Sequence, residues 1–247
     1  MDNKGYDYNL FVFIIILLYT GEVLPRARAT RFYNLGAALP VSNAILYLSK
    51  LLSLAGVALI MATIPMLVGV IIQTIKGFTQ YGLAVYAVDL YLLTLPGFLQ
   101  IILLSFAIHI VVNSKFAAHG VALLIWVSLF LLRNFAEMDY NLLFYFFTPD
   151  YEWSDMNGLG HFVAPLFWFN FYWLAFGLLL ASAAYLFFQR GVSGGWKERW
   201  RVARSRFKGL PFAAVLASGI CWLGSGAYIY YNVSYLNNYY STSEQRQ

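Results

Sequence analysis

Six stretches of this chain are almost unbroken runs of apolar residues: Tyr8 to Leu24, Leu51 to Ile75, Leu90 to Val112, Phe116 to Leu132, Phe162 to Phe188 and Leu210 to Tyr231. A helix needs about 20 mostly apolar residues to cross a ~30 Å hydrocarbon layer, and these stretches meet that need in length and polarity together. The pattern predicts an all-α polytopic membrane protein of about six transmembrane helices, a single transmembrane domain over 1–247. Pro65 and Pro96 fall inside the second and third spans, where a proline can kink a membrane helix if neighbours satisfy the freed carbonyl.

The polar breaks are as informative as the runs. The first span ends at Glu22, Pro25 and Arg26, and the segment to Lys50 is basic and interrupted by Gly36 and Pro40. A short polar link covers Lys76 to Asp89, and Asn113, Ser114 and Lys115 separate the third span from the fourth. The long connection 133–161 is rich in aromatics and acids; Thr148-Pro149-Asp150 and Asn157-Gly158 are turn signals within it, and Asn141 to Phe147 is apolar enough to dip into the interface. Within 194–208, Trp196, Trp200, Ala203 and Phe207 recur at helical spacing among lysines and arginines, which predicts an in-plane amphipathic helix touching membrane lipid. It serves either as a topology anchor or as a lipid- or partner-sensing element.

Composition agrees with the pattern. Of 247 residues, 61% are hydrophobic and 11% charged, too little polar surface for a water-soluble fold of this size. The net charge of +5 does not indicate nucleic acid, because the basic residues sit beside the spans and no nucleic-acid-binding module is present. Cys221 is the only cysteine, so neither an intramolecular disulfide nor a cysteine metal cluster can form. The first apolar run follows Asp2, Lys4 and Asp7 and lacks a small-x-small cleavage site, so it is read as a span rather than a signal peptide. Twelve of the sixteen lysines and arginines, from Arg26 to Lys208, fall on one side of the six-span arrangement, leaving Lys4, Lys76, Arg133 and Arg246 on the other. The positive-inside rule then makes the first loop cytoplasmic and puts both termini outside.

Several polar groups invite chemistry. Asp155 and His161, with Asn157, Gly158 and Gly160 between them, could bind a metal or move a proton, or simply close a turn and cap the fifth span. His109 and His119 flank the break between the third and fourth spans, as a proton relay or as satisfied or solvated residues near the surface. Glu22 stands four residues before Arg26 and could pair with it if the helix continues past Pro25, or serve only as a local charge neutraliser. Phe167, Trp168, Phe169, Phe171, Tyr172 and Trp173 form an aromatic belt or a ligand box, and Gly177 and Ala181 give a small-xxx-small step on the fifth span. No phosphate-loop, zinc-protease or nucleophile-elbow motif occurs, so the chain is expected to be no enzyme and to carry no cofactor of its own.

Gly21-Glu22-Val23-Leu24-Pro25-Arg26-Ala27-Arg28, then Ala38 to Asn43, and later Ser154-Asp155-Met156-Asn157-Gly158-Leu159-Gly160-His161-Phe162, resemble the ABC-2 type permease portion of bacterial proteins that fuse a permease to an M1-family aminopeptidase-like domain. The family's first loop motif usually reads Trp-Arg-Glu-Arg, where this chain has Pro25 and Ala27. The resemblance implies a permease subunit in the bacterial inner membrane, paired with a second copy or half-permease and driven by ATP bound to a separate ABC ATPase subunit. It makes 26–43 the coupling segment, with Arg28, Arg31, Phe32 and Leu35 facing the ATPase. It further implies that the chain is a fragment of a longer protein. The alternative is a membrane anchor for an extracytoplasmic peptidase-like domain outside this sequence; an intramembrane enzyme lacks convergent acid, base or nucleophile within the spans.

Overall fold

The computed structural model describes residues 4–24, 41–135, 142–151, 154, 158–189 and 195–236. Its elements are helices: α1 (Lys4–Val23), α2 (Asn43–Ile75), α3 (Leu83–Ala87), a π-helical turn (Val88–Thr94), α4 (Leu95–Val112), α5 (Lys115–Phe135), a 3-10 turn (Gly160–Phe162), α6 (Val163–Phe187), α7 (Trp196–Arg206), α8 (Gly209–Tyr231) and a closing π-helical turn (Asn232–Leu236). No strand occurs among the described residues beyond one isolated bridge between Ser154 and Gly158.

Five helical stretches are long and apolar enough to cross a membrane: Asn43–Ile75, Leu83–Val112, Lys115–Leu132, Gly160–Phe187 and Gly209–Leu236. The chain is a multi-pass membrane protein. The apolar part of α1, Tyr8–Val23, is shorter than these five. It is nonetheless built into the bundle, with Val12, Ile16 and Thr20 almost fully enclosed.

Two spans begin earlier than the polar residues suggest. Lys50 reads as a boundary, yet α2 starts at Asn43, where the Ser42 hydroxyl caps it by accepting from the Ile45 amide at 3.2 Å. The Lys50 ammonium does not need bulk water, because it donates to the carbonyls of Val23 and Leu24 at 2.8 and 2.9 Å. The link ending at Asp89 is likewise shorter, since helix begins at Leu83 and Asp89 lies in the π-helical turn. Proline 96 explains that turn: it has no amide proton and its ring clashes with the carbonyl one turn back, so the backbone widens just before it. Thr94 helps by donating its hydroxyl to the Asp89 carbonyl at 2.9 Å.

Helix α4 is the axis of the bundle. Phe98, Ile101, Ile102 and Phe106 pack against Val12 and Ile16 of α1 and against Leu54, Ala58 and Ala62 of α2. Ala58 and Ala62 sit one turn apart and let α2 approach closely, which is how packing replaces the hydrophobic effect inside lipid. The opposite side of α2 leaves Leu52, Ile60, Leu67 and Ile71 exposed, as a lipid-facing surface should.

A second cluster joins α4, α6 and α8 to the segment 142–147. Tyr145 is buried in it, Phe144 is buried as well, and Phe146 takes a left-handed backbone (φ 79°) to return the chain. Tyr145 donates to the Gln100 carbonyl at 2.7 Å, Trp173 Nε1 to the Phe147 carbonyl at 3.0 Å and the Tyr172 hydroxyl to the Leu142 carbonyl at 3.3 Å. These bonds satisfy irregular backbone where water is scarce. The aromatic run on α6 therefore splits by helical phase: Phe167 and Phe171 point outward, whereas Phe169, Tyr172 and Trp173 belong to the core.

Candidate functional site

The ends of α1, α4 and α6 and the beginnings of α2 and α5 meet at one end of the bundle, and most described basic side chains gather there. The turn that makes this possible is short. Asn113 ends α4 in the left-handed conformation (φ 57°), which asparagine tolerates better than most residues, and α5 starts at Lys115. The hairpin brings His109 and His119 face to edge, with ring centroids 4.8 Å apart and His109 Nε2 at 3.3 Å from His119 Nδ1. His109 is buried, with only 6% of its surface exposed, so it is a satisfied rather than a solvated histidine. Its other ring nitrogen, Nδ1, donates to the Ser105 carbonyl at 2.7 Å.

Around the imidazole pair, cations are used to close helix ends. Lys50 bridges the last carbonyls of α1, Arg199 donates to the Val111 and Ile110 carbonyls of α4 at 2.8 and 2.7 Å, and Arg206 donates to the Phe188 carbonyl that ends α6. The last four carbonyls of a helix have no partner within it and carry the negative end of its dipole, so a cation there satisfies both needs. Glu22 pairs with Lys115, which ties the end of α1 to the start of α5. Arg26, which sequence spacing makes its partner, lies outside the described residues. Beneath the ion pair a cleft opens, lined by Leu24, His109, Asn113, Lys115, Phe188 and Gln189.

Helix α7 lies across this end. Trp196 and Trp200, one turn apart, share a face at 57% and 59% exposure, and their rings are available to lipid. Phe207, which helical spacing would place with them, instead follows the helix end at Arg206 and packs edge-on against Phe212 of α8 with centroids 5.0 Å apart. Lys197, Arg201, Arg204 and Lys208 form the neighbouring exposed stripe. The sequence pattern does not single out Arg199, which turns inward to 5% exposure. The signal was present in its phase, since Arg199, Ala203 and Arg206 follow at i, i+4 and i+7 and Ala203 is the small residue where the helix packs.

The remaining sequence candidates are placed as follows. Arg28, Arg31, Phe32 and Leu35 of the coupling segment, and Asp155 and Asn157, lie outside the described residues. Gly158 and Gly160 both have positive φ, 58° and 49°, and Gly158 closes the bridge to Ser154. His161 is exposed in the 3-10 turn that leads into α6, its ring lying against Phe162 with centroids 4.0 Å apart. It stands at the opposite end of α6 from the imidazole pair. No cluster of three or more potential metal ligands occurs among the described residues. Comparison with family models, curated proteins and solved structures gives no match.

Proposed function

We propose that this membrane protein is the permease subunit of an ABC-2 type exporter in a bacterial inner membrane, with its basic end cytoplasmic and a separate ATPase docking on the connection between α1 and α2. The observation that carries this is the Lys50 bridge. Its ammonium ties the carbonyls of Val23 and Leu24, where the connection leaves α1, to the body of α2, where the connection arrives. A force applied to the connection is thus delivered to both helices together. Glu22 and Lys115 pass it on to α5, and α1 and α2 both pack on α4. An element that transmits motion must be anchored at both ends, and this one is. The residue pattern around Gly21 to Arg28 and Ser154 to Phe162 supports the same family.

The experiment is purification of the tagged chain in mild detergent, reconstitution into nanodiscs, and assay of ATP hydrolysis by the ATPase subunit that accompanies it. The proposal expects a stoichiometric nucleotide-binding partner whose hydrolysis changes when the permease is present. A chain that purifies intact and folded without such a partner, and leaves hydrolysis by candidate ATPases unaltered, contradicts it.

A further inference from the structure

We propose that His119 and His109 form a two-imidazole proton relay, taking up a proton at the half-exposed rim of the basic end and holding it on His109 inside the bundle. The Ser105 carbonyl can only accept, so the 2.7 Å bond fixes a hydrogen on His109 Nδ1. His109 Nε2 then faces His119 Nδ1 at 3.3 Å, and one hydrogen occupies the line between them. In the uncharged pair that hydrogen belongs to His119, and His119 Nε2 keeps its lone pair.

Gly21 sets how closely α1 can approach the two rings. A Cβ built on Gly21 would overlap the His119 ring at Cε1 and Nε2 and stand 3.0 Å from His109 Nε2. With no side chain there, the α1 backbone packs directly against the half-exposed His119 ring. A proton arriving at His119 Nε2 forms an N–H bond, the Nδ1–H bond of His119 breaks with its electron pair remaining on that nitrogen, and the released proton bonds to His109 Nε2. His119 ends neutral and His109 ends as the imidazolium.

Two features of the surroundings bear on a held charge. His109 lies in the last turn of α4, where the helix dipole favours a cation. One turn deeper, the Ser105 hydroxyl oxygen is buried and makes no hydrogen bond among the described residues. Among the described residues, the charged groups acting on the pair are Glu22 from α1 and Lys115 from α5, which favour and oppose the proton respectively; Lys50 of α2 and Arg199 of α7 are engaged with helix-end carbonyls, and α6 carries no charge. The relay stands on these contacts and is independent of the ATPase assignment.

Nitrogen-15 NMR tests it, because the chain has three histidines and His161→Gln leaves only this pair. The full-length variant, labelled in its imidazoles and held in lipid nanodiscs, is titrated from about pH 8.5 to about pH 5, the range in which histidine changes charge. The relay predicts a His109 ring protonated at Nδ1 and bare at Nε2 at high pH, then one joint step in which both rings shift and the pair gains a single proton. Adding His119→Gln moves the His109 midpoint by at least tenfold in proton concentration. A His109 ring carrying its hydrogen on Nε2, two rings titrating independently, or no uptake across the range overturns the proposal. Where the double variant does not fold, the tautomer and the joint step in the single variant decide alone.

Discussion

Arg199 closes the C-terminus of α4: its guanidinium reaches the carbonyls of Val111 and Ile110 at 2.8 and 2.7 Å, from a helix that begins more than eighty residues later in the chain. The contact turns an amphipathic helix into part of the bundle. It also predicts a sharp division among neighbouring cations. Arg199→Ala leaves two helix-end carbonyls unpaired and destabilises the folded protein by about 2–4 kcal/mol, on the scale of hydrogen bonds to a charged group. Arg201→Ala and Arg204→Ala, both exposed, stay within about 0.5 kcal/mol. Thermal unfolding of the three variants in one detergent separates them, and equal losses contradict the cap.

Gly21 is expected to tolerate no side chain. Gly21→Ala sets a methyl group into the His119 ring, and moving that ring separates it from His109. The expected cost is about 1–3 kcal/mol of overpacking, with loss of the coupled titration of the two rings. Unfolding and the histidine NMR titration measure the two effects separately, and an unchanged joint step in Gly21→Ala means that the glycine does not set the approach.

Tyr145 holds the segment 142–147 against the membrane helices through one hydroxyl bond to the Gln100 carbonyl. Burial pushes its phenol well above the ordinary tyrosine range, so the hydroxyl remains a donor throughout the physiological range. Tyr145→Phe keeps the ring contacts with Trp126, Trp173 and Phe176 and removes only that bond. A loss of about 1 kcal/mol and faster amide exchange at 142–147 are expected. Unaltered exchange there places the anchoring in ring packing alone.

The spans were legible because a membrane helix announces itself by length and apolarity. Their ends were less so, since Lys50 and Asp89 look like boundaries until the partners are known: the Lys50 ammonium has two carbonyls to bind, and Asp89 sits in a turn imposed by Pro96. The imidazole pair could be suspected from two histidines flanking an Asn113-Ser114 break, which folds a hairpin. That His109 is buried while His119 is half-exposed depends on the packing of α1 at Gly21, four elements before α4 in the chain, and no local pattern carries it. The inward turn of Arg199 was visible in phase with Ala203 but was hidden by the surplus of arginines around it.

The aromatic face of α7 is expected to sit in the headgroup region. Trp196 and Trp200 stack near Phe187 on one edge and present their other faces outward. Variants that keep a single tryptophan at 196 or 200 should show blue-shifted emission, strong quenching by lipids brominated near the glycerol, and weak quenching by aqueous iodide. Iodide quenching as strong as that of free tryptophan at either position removes α7 from the interface.

The most direct test of the permease assignment lies in the connection between α1 and α2. Phe32 and Leu35 are the apolar residues proposed to seat in the ATPase, flanked by Arg28 and Arg31. The measurement is the ATP hydrolysis rate of the co-reconstituted permease and ATPase, taken with the wild-type chain and with the Phe32→Asp, Leu35→Asp double variant, each verified to insert and fold. The account predicts that the double variant loses ATPase binding and with it the permease-dependent part of hydrolysis. A folded double variant that binds the ATPase with unchanged affinity and stimulates hydrolysis as the wild type does contradicts it.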